Sequence, residues 1–192
     1  MIRANGKLLL TGEYLVLDGA LSLAFPTRKG QTLLAKKSEK KGFFWKSINN
    51  DGSVWFEDEL FVQSENSITQ NLEKIILSAY SQNSYFEELT KNTSVETYLE
   101  FPRDWGLGSS STLISLVAQW AGVNPYQLLT DSFGGSGYDV ACAMANSPIL
   151  YQLVGEERKV YPVDFQVDFK DKLFFIYLNQ KQNSREGIAQ YR

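Results

Sequence analysis

Pro102-Arg103-Asp104-Trp105-Gly106-Leu107-Gly108-Ser109-Ser110-Ser111-Thr112 is the stretch on which the reading of this 192-residue chain turns. It follows Val95, Thr97, Leu99 and Phe101, an alternation that marks a half-buried strand halted at Pro102. It precedes Leu113, Leu116, Val117, Trp120 and Ala121, whose spacing predicts an amphipathic helix ending near Gly122. A strand, a glycine-rich turn and a helix N-terminus together suit phosphate: glycine lets the backbone come close, free N–H groups converge, and the helix dipole favours negative charge. The hydroxyls of Ser109, Ser110 and Ser111 add hydrogen bonds or a magnesium ligand. The same residues also read as a serine-capped helix behind an irregular entry loop. No Gly-Lys-Ser/Thr closes the segment as in a Walker A loop, and the G-x-G-x-x-G spacing of a dinucleotide fingerprint fails at Ser111.

Toward the N-terminus the chain reads as β-rich. Residues 7–10 and 14–17 are apolar runs separated by Thr11-Gly12-Glu13, and residues 21–36 continue in extended style. Asn50-Asp51-Gly52, between Phe43-Phe44-Trp45 and Val54-Trp55-Phe56, predicts a hairpin in an antiparallel sheet. Ser67 is the expected cap of a helix carrying Ile68, Leu72, Ile75, Ile76 and Ala79. Beyond the serine helix, Asn124 and Pro125 open a short helix, Gly134-Gly135-Ser136-Gly137 interrupts, and helix resumes over 138–146. Residues 148–154 and 159–163 flank Gly155-Glu156-Glu157 as a second hairpin. Residues 173–178 are a buried-strand candidate, and Asn183 or Ser184 starts a last helix. Antiparallel strands interleaved with helices point to an α+β class.

Composition narrows the chemistry. With 43% hydrophobic and 14% aromatic residues the chain buries a sizeable core, and its length suggests one or two domains. A net charge of −3 gives no basic field, so nucleic acid is not an expected partner. The first residues lack an apolar signal segment and no later run nears the ~20 residues that span a bilayer, so a cytoplasmic location and no membrane partner are expected. Histidine is absent, which removes Ser-His-Asp and Cys-His machinery and histidine metal sites. Cys142, the single cysteine, reads as a packed helix residue among small apolar neighbours. Any chemistry is left to carboxylates, lysines, hydroxyls and backbone amides.

Three ordered motifs carry a resemblance. Pro102-x-x-x-Gly106-Leu107-Gly108-Ser109-Ser110 resembles the phosphate-binding motif of the GHMP kinases, the galactokinase, homoserine, mevalonate and phosphomevalonate kinases. Gly6-Lys7-Leu8-Leu9-Leu10-Thr11-Gly12-Glu13-Tyr14-Leu15-Val16-Leu17-Asp18-Gly19 resembles their N-terminal motif, and Gly135-Ser136-Gly137-Tyr138-Asp139-Val140-Ala141 their catalytic-aspartate segment. The wording is closest to the mevalonate and phosphomevalonate kinases. The resemblance spans roughly residues 4–148 and implies a GHMP-kinase-like N-terminal ATP-binding domain over 1–165. Residues 166–192 would then begin a ferredoxin-like C-terminal domain, cut in mid-domain. A truncated second domain would leave one face uncovered, hence an expected homodimer or other self-association.

Carried over residue by residue, the resemblance makes Asp139 the catalytic aspartate that orients the acceptor hydroxyl, with Lys7 beside it. An aspartate and lysine straddling the acceptor oxygen and γ-phosphate fit phosphoryl transfer, where the protein mainly positions reactants and neutralises charge. Gly106, Leu107, Gly108, Ser109, Ser110 and Ser111 would surround the ATP phosphates, and Ser110 would help hold Mg2+. Glu13, Tyr14, Ser136 and Gly137 would stand on the substrate side. The position where mevalonate kinases complete the magnesium site falls near Leu128, which is no acid; Asp131 is the nearest carboxylate. The implied activity is ATP-dependent phosphorylation of a small anionic metabolite, mevalonate or phosphomevalonate. A decarboxylase or sugar kinase of the superfamily, or a non-catalytic nucleotide binder, are the alternatives. Phe43, Phe44, Trp45, Trp55 and Phe56 read as cross-strand packing ahead of an adenine wall, and Lys36, Lys37, Lys40 and Lys41 as a solvated strand end.

Overall fold

The computed structural model describes residues 1–177 and 184–192. A long strand, β2 (Ser22–Lys37), is its spine, because β1 (Ile2–Leu9) pairs along one edge while two other strands share the opposite edge. Those strands are β5 (Thr93–Leu99), on residues 31–37 of β2, and β6 (Ile149–Val154), on residues 22–24. Outward from β5 lie β3 (Phe43–Ile48) and β4 (Val54–Leu60), and outward from β6 lies β7 (Glu157–Pro162), giving seven strands in one sheet. The sheet is mixed, because β3 runs parallel to β5; the other pairings are antiparallel. This departs from the wholly antiparallel sheet expected. The cause is a crossover through α1 (Ser67–Gln82) and α2 (Ser84–Thr90), the latter unforeseen, which returns the chain beside β3 in the same direction.

Both hairpins form where expected. In the first, Gly52 takes φ 85°, its N–H bonds the Asn49 carbonyl at 3.0 Å, and the Asp51 carboxylate accepts from Ser53. The expected aromatic packing also holds: Phe43, Trp45 and Phe56 are buried in the main core. Lys37 is exposed at the end of β2, as expected, and its ammonium donates to the Leu89 and Lys91 carbonyls at 3.0 and 2.9 Å, satisfying groups at the C-terminal end of α2.

Three local expectations are corrected. Asn66, not Ser67, caps α1, its side chain accepting from the Ile68 N–H at 2.9 Å. Residues 14–17 are not a strand: Gly12 at φ 89° and Tyr14 at φ 56° turn the backbone into a 3-10 turn over Leu15–Asp18. Leu173, Phe174, Phe175 and Ile176 pair with no described strand and stand 47%, 82%, 50% and 76% exposed, whereas a buried strand was expected; Leu178 lies outside the described residues. The last helix is α6 (Ser184–Tyr191), with Asn183 outside the described residues.

The serine helix, α3 (Ser109–Ala121), is more central than its apolar stripe suggested. It packs on β1 and β2 on one side and on α1 and α4 (Pro125–Ser132) on the other. Ser111, Thr112, Ile114, Ser115, Leu116, Val117 and Ala118 are therefore buried together, as in a helix enclosed on several sides. The small polar members satisfy themselves locally: Ser115 Oγ donates to the Ser111 carbonyl, and Thr112 Oγ1 to Gln31 Oε1 at 2.6 Å.

Candidate functional site

A bulge in β1 starts the site. Pairing with β2 shifts register between Asn5 and Lys7, and the Lys7 N–H turns outward to donate to the Leu107 carbonyl at 2.8 Å. That bond ties the first strand to the glycine-rich loop. Gly6 allows the approach, since a Cβ there would meet Thr27 Oγ1 at 2.5 Å and the Leu107 carbonyl oxygen at 3.1 Å. Leu107 itself anchors the loop: it is 6% exposed and packs with Leu99, Phe101 and Trp105. Its predicted phosphate contact is thus no role for its side chain, which faces the core.

Gly108 precedes α3 in a left-handed conformation, φ 86°, and no side chain caps the helix start. A Cβ at Gly108 would lie 2.9 Å from Lys7 Cγ, so the bare backbone is what lets the lysine stem run alongside the loop. The first N–H groups of α3 have no acceptor within the helix. Ser111 Oγ turns back to the Gly108 carbonyl at 2.8 Å, while Ser110 stays exposed on the cavity wall.

The opposite wall comes from α5 (Tyr138–Ala143), which follows the Gly134–Gly137 turn. Asp139 sits in its first turn, where the helix dipole favours a carboxylate, and accepts from the Val140 N–H at 2.9 Å. The Ser136 carbonyl accepts from the hydroxyl of the buried Tyr151, which holds the turn from beneath.

These walls enclose a cavity of about 630 Å³, of a size that holds a metabolite. Seven of the expected residues line it: Lys7, Glu13, Tyr14, Ser110, Ser111, Ser136 and Asp139. Gly106, Leu107, Gly108, Ser109 and Gly137 form the turns behind that lining. Asp131 is not brought to the cavity; its carboxylate accepts from Ser78 Oγ at 2.5 Å and Gln127 Nε2 at 2.7 Å on the far part of α4. Leu128, where an acid was sought, is fully buried in the core. Among the described residues no group of three or more acids or cysteines is placed to hold a metal ion.

The charged pair is coupled through space. Burial works against the charge on Lys7, yet the Tyr138 hydroxyl, Asp139 and Glu13 outweigh it and hold the ammonium above the ordinary lysine value. Burial pushes Asp139 above the usual aspartate value, against the opposing pull of Lys7 and the Val140 N–H. No N···O contact of 4.0 Å or less joins the two; the ion pairs among the described residues lie elsewhere. A space is thus left between a cation and a carboxyl group whose proton affinity is raised. Tyr138, one residue before Asp139, lies under the lysine, with Lys7 Nζ 5.4 Å from its ring centroid.

Sequence reasoning missed Tyr138 as well as the apolar lining. Leu129 and Phe133 come from one face of α4 and its end, at the i, i+4 spacing that could have signalled them. Ile188 comes from α6 and has no local signal. That helix docks on the 3-10 turn through Tyr191, whose ring stacks on Tyr14 at 5.8 Å and whose hydroxyl donates to Asp18 at 2.5 Å.

No family model matches the chain, and no curated protein matches it. Solved structures do. The mevalonate kinase of L. major, solved with R-mevalonate, is 15% identical with a TM-score of 0.59 over 86% of this chain and 52% of its own. The phosphomevalonate kinase of Streptococcus pneumoniae, solved with phosphomevalonate and AMPPNP, is 21% identical with a TM-score of 0.56 over 79% and 49%. The galactokinase of Lactococcus lactis, solved with galactose, is 17% identical with a TM-score of 0.60 over 85% and 47%. The chain spans about half the length of these proteins. What they share with it is the fold, that of the GHMP-type kinases.

Proposed function

We propose that this chain supplies the phosphate-binding loop, the catalytic pair and part of the acceptor wall of an ATP-dependent small-molecule kinase. The observation that carries the reading is the convergence of Lys7, Asp139 and the α3 serines on one cavity, although they come from three distant parts of the sequence. Similarity to mevalonate and phosphomevalonate kinases in fold, and the motif wording, favour mevalonate or phosphomevalonate as acceptor. Similarity to a galactokinase makes a sugar the reading to test against it.

The chemistry follows from the walls. The α3 N-terminus, with Gly108 lacking a side chain and Ser110 open to the cavity, suits the triphosphate of ATP. Magnesium takes oxygen ligands, and the Ser110 hydroxyl and Glu13 carboxylate, among the oxygens that line these walls, would help to hold it; when bound it neutralises phosphate charge. Lys7, kept protonated, stabilises the charge that builds on the transferring phosphoryl group. Asp139 orients the acceptor hydroxyl and takes its proton, a role its raised affinity for protons favours. Leu9, Val16, Leu17 and Phe133 add an apolar lining that excludes water from the acceptor.

The test is Asp139→Ala and Lys7→Met in the longest natural form of the chain. Acceptor-dependent ADP release should fall by about 10²–10³-fold in each, with ATP-analogue binding retained in Asp139→Ala. Wild-type turnover by Asp139→Ala would remove that residue from the mechanism.

A further inference from the structure

Arg158, on β7, does not line the cavity, yet it reaches the turn that carries Asp139. Its guanidinium carbon lies 4.8 Å from the ring centroid of Tyr126, in the first turn of α4. Gly137 rests on both groups: a Cβ there would be 3.1 Å from Arg158 Nε and 3.1 Å from Tyr126 Cδ1. Arg158 Nε is buried without a hydrogen-bond partner. An arginine on an edge strand ordinarily keeps its head in water, and withdrawing an N–H from water without an acceptor costs free energy. The stack on Tyr126, the packing against Gly137 and the interaction of the guanidinium with the Tyr151 hydroxyl are what offset that cost.

The surroundings connect this contact to the site. Tyr126 is fixed in turn, because its N–H donates to the Asn124 side chain at 2.9 Å. Tyr151 grips the neighbouring residue through the Ser136 carbonyl. The Gly134–Gly137 turn is therefore held at two successive positions, by Tyr151 at Ser136 and by Arg158 with Tyr126 at Gly137. Gly137 adopts φ 88° and begins α5, and Asp139 follows two residues later. A shift at Gly137 would swing the helix start that aims the carboxylate.

We propose that Arg158 is a positioning residue for Asp139: stacked on Tyr126 and pressed beneath Gly137, it fixes the turn from which the carboxylate enters the cavity. This rests on the reading of Asp139 as the group that acts on the acceptor. Nothing in the family resemblance points to Arg158; the packing beneath the turn does.

The test compares Arg158→Met, Tyr126→Leu and the double variant in the longest natural form of the chain, with two readouts. The first is amide hydrogen exchange across residues 138–143, which needs no turnover. A partly buried cation–π contact of about 1 kcal/mol predicts exchange roughly fivefold faster in either single variant. The second is steady-state kinetics, where a misaimed carboxylate predicts a kcat about tenfold lower, with the KM for ATP unchanged. Because both substitutions remove one stack, the loss in the double variant should fall short of the sum of the two single losses; additive losses would overturn the proposal. Unchanged exchange in Arg158→Met would overturn it as well. If the unaltered protein turned over no acceptor, the role of Asp139 would fall, while the exchange comparison would still decide whether Arg158 holds the turn. Should Arg158→Met not fold, Arg158→Lys replaces it, keeping charge and stem but not the stacking plane.

Discussion

Replacing Gly108 by alanine probes the join between the glycine-rich loop and Lys7. Alanine in the left-handed conformation of Gly108, φ 86°, costs about 1–2 kcal/mol. The new methyl would also stand 2.6 Å from Ser111 Oγ, 2.9 Å from Lys7 Cγ and 3.2 Å from Lys7 Cε. Driving those side chains off their rotamers adds about 0.5–1.5 kcal/mol. The sum of roughly 1.5–3.5 kcal/mol corresponds to a fall in Tm of about 3–14 °C for a domain of this size. Gly122→Ala is the matched control, since Gly122 is also left-handed, at φ 66°, but has nothing within 4 Å of the added methyl. It should lose only the conformational share, about 1–2 kcal/mol. Turnover separates the two more sharply, because displacing a reacting group by ~1 Å costs up to about 100-fold. Thermal melting and ADP release on both variants provide the assay. Equal melting points and equal turnover would refute the claim that Gly108 makes room for Lys7.

Three further outcomes follow from the buried groups. Activity should rise with pH through a limb above the ordinary aspartate range, since burial raises Asp139. It should persist past the ordinary lysine value, because Lys7 is held protonated; a lysine limb below ~10 would contradict this. Asp139→Asn should raise Tm at neutral pH. A group with a raised folded pKa gives stability present below its unfolded value of about 3.9 and lost as pH rises through the folded one. The gain should fade on acidification, and melts that diverge further at low pH would reverse the sign assigned to burial. Cys142 is buried and its thiol is pushed up to about 12 by burial, so iodoacetamide at pH 8 should label it only after unfolding; prompt labelling of native protein would show the helix to be open.

Much of the site was legible because its chemistry is local. Gly108, Ser109, Ser110 and Ser111 sit at a strand-to-helix joint that glycine and serine announce by themselves, and the hairpin at Asn50-Asp51-Gly52 likewise. The pairing of Lys7 with Asp139 was legible only through the resemblance, because no local pattern links residues on β1 and α5. Where reading failed, tertiary context decided. Tyr14–Leu17 has the composition of a strand, yet two left-handed residues bend it into a turn that lines the cavity. Ile114 falls outside the expected stripe of α3 and is fully buried, because that helix is covered on more than one side. Asp131 looked available for a metal, but α1 supplies Ser78 as its partner, a neighbour that no spacing could reveal. The apolar run at Leu173 read as buried from composition, and no described strand lies beside it to make it so.

The most direct measurement is magnesium-dependent ADP release from the longest natural form of this protein, with mevalonate, phosphomevalonate and galactose offered separately. The account predicts saturable release with one of the two anionic acceptors and loss of that release in Lys7→Met and Asp139→Ala. ATP binding without turnover of any of the three, or turnover that survives both substitutions, would contradict it.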